Sequence, residues 1–139
     1  MSRVAIAGGG IIGLTLAREL HRRGHTVILL ERAGIGAQAS WAGAGVLSPL
    51  PPWRYPLAVQ QLAAFSQALY PDLIAALRAD TGVDPEYRRC GLLVLDEHDS
   101  AGVAGWAART GAPFERLDGA GLARAEPALT GAGRAIRLP

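Results

Sequence analysis

Residues 3–32 read RVAIAGGGIIGLTLARELHRRGHTVILLER, and the glycines at the first junction of this stretch decide the fold. Arg3–Ala7 is a short apolar run carrying Val4 and Ile6, the pattern of a strand buried on both faces. The glycines stop it. Over residues 11–23 the apolar positions Ile12, Leu16 and Leu20 recur at helical spacing, with Arg18, Glu19, Arg22 and Arg23 on the other side. Gly24 stands where a helix commonly ends in a left-handed residue. Residues 26–31, TVILLE, are β-branched and apolar and predict a second strand. Strand, helix and strand in so short a span make a βαβ unit, with parallel strands and a right-handed crossover.

Gly8, Gly10 and Gly13 form G-x-G-x-x-G at the strand-to-helix junction. Gly8 permits the tight turn, Gly10 lets a pyrophosphate approach the backbone, and Gly13 lets the helix pack closely on the strand. The first helical amides, from Gly10 to Ile12, are then expected to point unpaired donors at phosphates, where the helix dipole favours negative charge. Glu31 ends the second strand, at the place where a carboxylate accepts the hydroxyls of an adenosine ribose. It would repel a 2′-phosphate, which disfavours NADP, although Arg32 beside it leaves that option open. The competing reading is a purely structural βαβ unit with an ordinary surface glutamate. Context favours an ADP-containing dinucleotide.

The motif alone does not separate NAD from FAD. Residues 36–49, GAQASWAGAGVLSP, bear on that choice. A plain NAD-binding unit moves quickly to another helix and a third strand, whereas this chain spends about a dozen residues on glycine, alanine and serine. So small-sided a loop suits backbone lying against a large flat ligand. The amides of Ala44, Gly45 and Val46 are candidates for an isoalloxazine or ribityl chain, and the Ser40 hydroxyl for the pyrophosphate. A flexible loop of chance composition is the alternative.

Composition narrows the remaining classes. The chain has 139 residues, half of them hydrophobic, which is one domain's worth with ample material for a core. Its net charge is +2, and all fourteen basic residues are arginines spread along the chain. Without clustered charge there is no electrostatic case for nucleic acid or a membrane surface. The single cysteine, Cys90, excludes a disulfide framework or a sulfur-rich metal site and reads as a small core or strand-edge residue. No transmembrane span or cleavable leader is evident, so a soluble, cytoplasmic protein is expected.

Beyond the loop, SPLPPWRYP is too proline-rich for regular structure. Over residues 57–79 Leu62, Phe65, Leu69, Leu73 and Leu77 share one helical face, which reads as core-facing, with Pro71 kinking or dividing the helix near Tyr70. Residues 87–96 contain a strand, GLLVLD. Weak helices are expected at 99–110 and 118–124, the latter with Asp118 as N-cap.

Two stretches carry a family resemblance: VAIAGGGIIGLTLARELHRRGHTVILLER and GAQASWAGAGVLSP. Together they resemble the N-terminal part of the FAD-dependent amino-acid oxidases related to D-amino acid oxidase. They are most similar to the glycine oxidase branch associated with thiamine biosynthesis. LYPDLIAALRADTGVDPEYRRCGLLVLD and LARAEPAL resemble the same branch, so the likeness covers nearly the whole chain. The βαβ portion is shared by many flavoproteins, and SWAGAGVLSP is the more discriminating part. The resemblance implies that Gly8, Gly10, Ile11, Ile12 and Gly13 hold the pyrophosphate of FAD and that Glu31 and Arg32 face the adenosine. It implies that Ala39 and Ser40 lie along the phosphates, with Ala44, Gly45 and Val46 near the flavin ring.

The implied architecture is an α/β chain with a Rossmann-like FAD-binding βαβ unit, followed by the start of an α+β substrate domain that is truncated. Residues 1–50 would form the βαβ unit and flavin loop, and residues 51–139 a helical insertion with part of the substrate domain. Family members are more than twice as long, so this chain is expected to be an N-terminal fragment, inactive alone. The carboxylate-binding arginine and further flavin contacts would then fall beyond Pro139. The implied reaction is oxidative deamination of glycine or another small amino acid or amine, with O₂ as acceptor and H₂O₂ as product. The implied assembly is a homo-oligomer. No catalytic residue and no metal ligand is assigned; Arg54, Tyr87, Arg88 and Arg89 are poorer candidates for a carboxylate clamp than for solvated or strand-edge roles. A non-enzymatic dinucleotide-binding module and an NAD-dependent dehydrogenase fragment are the competing readings.

Overall fold

The computed structural model describes residues 1–139, which divide into two compact units, Met1–Val46 and Leu47–Pro139. In the first unit, β1 (Arg3–Ala7), α1 (Ile11–Arg22) and β2 (Thr26–Leu30) form the expected βαβ unit. β1 and β2 pair in parallel, with Val4 opposite Val27 and Ile6 opposite Leu29. One turn, α2 (Ala39–Ala42), follows.

Alternation along the strands sorts the side chains by face. Ile6 is buried and Val4, Val27 and Leu29 are half-buried, while Ile28 and Leu30, on the other face, are exposed. The helix meets the sheet through Gly13, Ala17 and Leu20, all partly covered. Ile12 and Leu16 were expected on the inner face but lie exposed, because the contact is centred on Gly13, one position along from Ile12. Gly24, at φ +84°, reverses the chain after Arg23 in the backbone region that favours glycine.

The second unit begins with a 3-10 turn, Pro52–Arg54, in the proline-rich segment, followed by α3 (Leu57–Thr81). Pro71 lies inside α3 without ending it. Gly82 closes α3 in the left-handed conformation, its N–H bonded to the Arg78 carbonyl. Leu62, Phe65 and Leu69 on this helix are exposed, against the core-facing role that their spacing suggested. A stripe of this kind records which face is apolar and says nothing of what covers it.

β3 (Leu92–Leu95), β4 (Glu115–Asp118) and β5 (Arg134–Leu138) make an antiparallel sheet in the order β3-β5-β4. Val94 and Arg116 flank Ile136, and Leu95 and Leu117 flank Ala135. β4 and β5 went unread in the sequence, since ERLD and RAIRL are short and charge-interrupted. α4 (Ser100–Thr110) and α5 (Gly119–Ala125) match the expected helices, capped by Asp99 and Asp118, whose carboxylates accept the N–H of Gly102 and Gly121.

The centre of β5 splits the core in two. Ile136 packs with Trp53, Val103 and Trp106, and Ala135 packs with Leu117 and Leu122. The indoles of Trp53 and Trp106 meet at a tilted angle, 5.9 Å between ring centres, a favourable aromatic geometry. Glu97 is buried at 5% exposure and fully bonded: Oε2 accepts Trp53 Nε1–H (3.0 Å) and Arg54 Nη2–H (2.8 Å), and Oε1 accepts Asp99 N–H (2.8 Å). A carboxylate survives burial only when its lone pairs are met in this way.

Candidate dinucleotide site

The site is built around the turn between β1 and α1. Gly8 takes φ +109°, a conformation that L side chains rarely adopt. A Cβ on Gly13 would stand 1.9 Å from the Gly8 carbonyl oxygen, so glycine is the only residue that lets α1 close on the turn. Gly10 occupies the N-cap position of α1. A Cβ there would come within 2.9 Å of Ser40 Oγ, so the close approach expected of a phosphate is already made by a neighbouring side chain.

Ser40 also changes the reading of the helix N-terminus. The Ile11 amide was expected to be free, but it donates to Ser40 Oγ at 2.9 Å. Ser40 thereby does a capping residue's work from a distant part of the chain. Its hydroxyl, having accepted one hydrogen bond, still has a proton to donate. The amides of Gly10 and Ile12 have no acceptor within the protein, as the first turn of a helix requires. Two main-chain donors and one hydroxyl donor therefore stand at the positive end of α1.

Glu31 follows β2 directly. Its Oε2 accepts the Gly9 N–H at 2.7 Å and its Oε1 the Ala33 N–H at 2.9 Å. The Gly9 amide, then the Ala33 amide, hold the carboxyl below the usual carboxylate range, with desolvation opposing. The group is thus a fixed anion, and each oxygen keeps lone-pair capacity for a hydroxyl. Arg32 is exposed beside it and adds a minor favourable charge. Sequence reasoning passed over Gly9, Ala33 and Gly36, although the third consecutive glycine in GGG was a signal that the middle position also lacks room.

Gly10, Glu31, Gly34, Gly36 and the run 37–40 line a cleft of about 120 Å³. It brings Gly10, Glu31, Ala39 and Ser40 together. Ala44, Gly45 and Val46 lie outside this lining, on exposed backbone beyond α2, with Gly45 left-handed at φ +73°. Glycine at 45 is explained by that conformation. Small walls, unspent main-chain donors and a fixed carboxylate fit the phosphate and ribose of an ADP moiety.

The other sequence candidates resolve differently. Arg54 pairs with Glu97, and Tyr87 stacks on Tyr70, with 6.1 Å between ring centres. Arg88 and Arg89 are exposed, as is Cys90, which precedes β3 instead of entering a core. No group of three or more His, Cys, Asp or Glu side chains comes together to hold a metal ion. A broad depression of about 550 Å³ beside β4 is larger than the cleft. It is a wide surface among Arg116, Asp118, Arg124 and Arg134, and Asp118 in it is spent on capping α5.

Similar proteins point the same way. The chain is 43% identical to a glycine oxidase of Pseudomonas putida over 127 residues, covering 91% of this chain and 35% of that protein. It is 46% identical to a glycine oxidase of Pseudomonas aeruginosa over 115 residues, covering 83% and 32%. The crystal structure of glycine oxidase from Bacillus cereus superimposes with a TM-score of 0.86 at 34% identity, over 99% of this chain and 38% of that one. The chain thus spans about a third of the length of the relatives it matches. Residues 3–139 match the model of the DAO family, described as FAD dependent oxidoreductase, and the chain belongs to that FAD-dependent family.

Proposed function

We propose that this chain supplies the ADP-binding part of a flavoenzyme that oxidises glycine or another small amino acid or amine, with O₂ as acceptor and H₂O₂ as product. The observation that carries the reading is the Gly8–Gly9–Gly10 turn facing both Glu31 and Ser40, each already fixed by a main-chain N–H. Residues 1–50 act as the FAD-binding part, and residues 51–139 as a helical insertion and part of a substrate domain.

Gly8 and Gly13 shape the turn. The amides of Gly10 and Ile12, with the Ser40 hydroxyl standing in for the bonded Ile11 amide, bind the pyrophosphate, and Ala39 keeps that wall thin. Glu31 binds the ribose hydroxyls, with Arg32 at the adenosine. The bare backbone of Ala44, Gly45 and Val46 lies against the flavin ring. Bound flavin supplies a two-electron acceptor, and the protein's part here is to bind and orient it. No side chain of this chain is assigned to proton transfer.

The names of the glycine oxidase relatives support the substrate class. No helix is long and apolar enough to cross a membrane, which is compatible with a cytoplasmic enzyme. Titrating the protein with FAD and with NAD tests the reading. Binding of FAD in preference to NAD is the expected result. NAD binding in preference to FAD would move the chain to the dehydrogenases, and binding of neither would refute the dinucleotide reading.

A further inference from the structure

Gly9 is the unnamed residue of the G-x-G turn, yet it is buried and bonded at both peptide groups. Its N–H donates to Glu31 Oε2 at 2.7 Å, and its C=O accepts the Gly36 N–H at 2.9 Å. Next to it, the Gly8 N–H donates to the Leu30 carbonyl at 2.8 Å. A Cβ on Gly9 would stand 3.1 Å from Glu31 Cβ, 3.2 Å from Cγ and 3.3 Å from Oε2. These atoms would have to give way, and the carboxylate would move with them.

We infer that Gly9 is a positioning residue that locks the ribose-binding carboxylate and the phosphate-binding turn into one rigid piece. This rests on the proposed nucleotide reading of the cleft. Glu31 thus has two tasks in one side chain: it reads the ribose and holds the turn that presents Gly10 and Ile12 to the phosphates. Charge-assisted bonds to a carboxylate are the stronger class of hydrogen bond, so the lock stands before any ligand arrives. Preorganisation of this kind raises affinity by removing an ordering cost from the binding step. The Gly36–Gly9 bond extends the lock to the segment that leads into Ser40.

The test compares ADP with 2′,3′-dideoxy-ADP, by calorimetric titration of the full chain. Unmodified protein should prefer ADP, since only ADP offers hydroxyls to Glu31. Gly9→Ala should bind ADP about tenfold or more weakly and lose most of that preference. A merely loosened fold would weaken both ligands alike and keep their ratio, and that result overturns the inference. Because Gly9→Ala could be recovered unfolded, Glu31→Gln provides the second arm. If Glu31 also holds the turn, this variant binds dideoxy-ADP at least severalfold more weakly than unmodified protein. If Glu31 only reads ribose, dideoxy-ADP binds both proteins equally, and the lock is refuted. Failure of the unmodified protein to bind either ligand defeats the nucleotide reading and this inference with it, whereas binding with an unaffected ratio defeats this inference alone.

Discussion

The two units are held together by different means. In Met1–Val46, Ile6 is the one buried hydrophobic residue, whereas Leu47–Pro139 has seven, including Trp53 and Trp106. The first unit relies on main-chain N–H groups bonded between the glycine turn with the start of α1 and the end of β2 with the segment after it: Gly8 N–H to the Leu30 carbonyl, Gly9 N–H to the Glu31 carboxylate, Gly36 N–H to the Gly9 carbonyl, and Ile11 N–H to the Ser40 hydroxyl. The second relies on interdigitated apolar side chains on both faces of β5, with one buried carboxylate to tie its 3-10 turn to the start of α4. A surface that must admit a large polar ligand cannot be filled with side chains, so backbone is what remains to build it. A unit of that kind gains stability from its ligand by mass action, while a packed core does not depend on one.

Substitutions put this contrast to the test. The largest effect is expected in the packed unit. Trp106→Ala removes half of the indole pair and leaves a cavity beside Val103 and Ile136, costing about 3–5 kcal/mol of stability. Chemical denaturation followed by near-ultraviolet circular dichroism measures it, and a loss below 1 kcal/mol would show the pair to be peripheral. Next comes Gly13→Ala in the first unit. Its Cβ meets a backbone oxygen that cannot rotate away, so the expected cost is about 3 kcal/mol, with ADP binding abolished. Amide exchange across residues 3–30 reads the damage, and unchanged protection there would contradict the close helix–turn contact.

Glu97→Gln is expected to cost about 1–3 kcal/mol, since Trp53, Arg54 and Asp99 then share one acceptor oxygen. The same carboxylate makes the second unit acid-sensitive. Its folded pKa is lowered from 4.5, chiefly by the Asp99 amide, then by the Trp53 indole and the Arg54 charge, with burial opposing. A lowered folded pKa gives stability that is full above pH 4.5 and lost as pH falls from there through the folded value. Unmodified protein should therefore lose more stability between neutral and acid pH than the Gln variant; equal losses would remove Glu97 from the account. The smallest effect belongs to Ser40→Ala, which frees the Ile11 amide at about 1 kcal/mol, a typical capping loss. FAD affinity should fall several-fold, and a gain in affinity would mean that Ser40 blocks the amide it caps.

The first unit was the more legible from sequence. A strand, a glycine turn and a helix differ in local period, and local period is what a sequence displays directly. Glycine at 8, 10 and 13 and the acid at 31 could be read from spacing alone. Gly9 was passed over because its constraint comes from Glu31, far along the chain, and Ser40 was assigned to phosphate because nothing local shows it capping α1. The second unit was read through its helices, the Asp118 cap and the strand at GLLVLD, but the Asp99 cap, β4 and β5 escaped. Glu115–Asp118 and Arg134–Leu138 alternate charge with apolar residues over too few positions to stand out, and they become strands only by pairing with each other and with β3.

Local pattern was enough to specify β1, α1 and β2, the glycine turn, the acid that follows β2 and the Asp118-capped helix, because each element shows in the period and turn residues of its own stretch. Tertiary structure alone decided that Ile11 is capped by Ser40, that Gly9 is gripped by Glu31 and Gly36, and that Glu97 is buried among Trp53, Arg54 and Asp99. Those arrangements are meetings between distant segments. Their energy comes from distances and burial that no local pattern encodes.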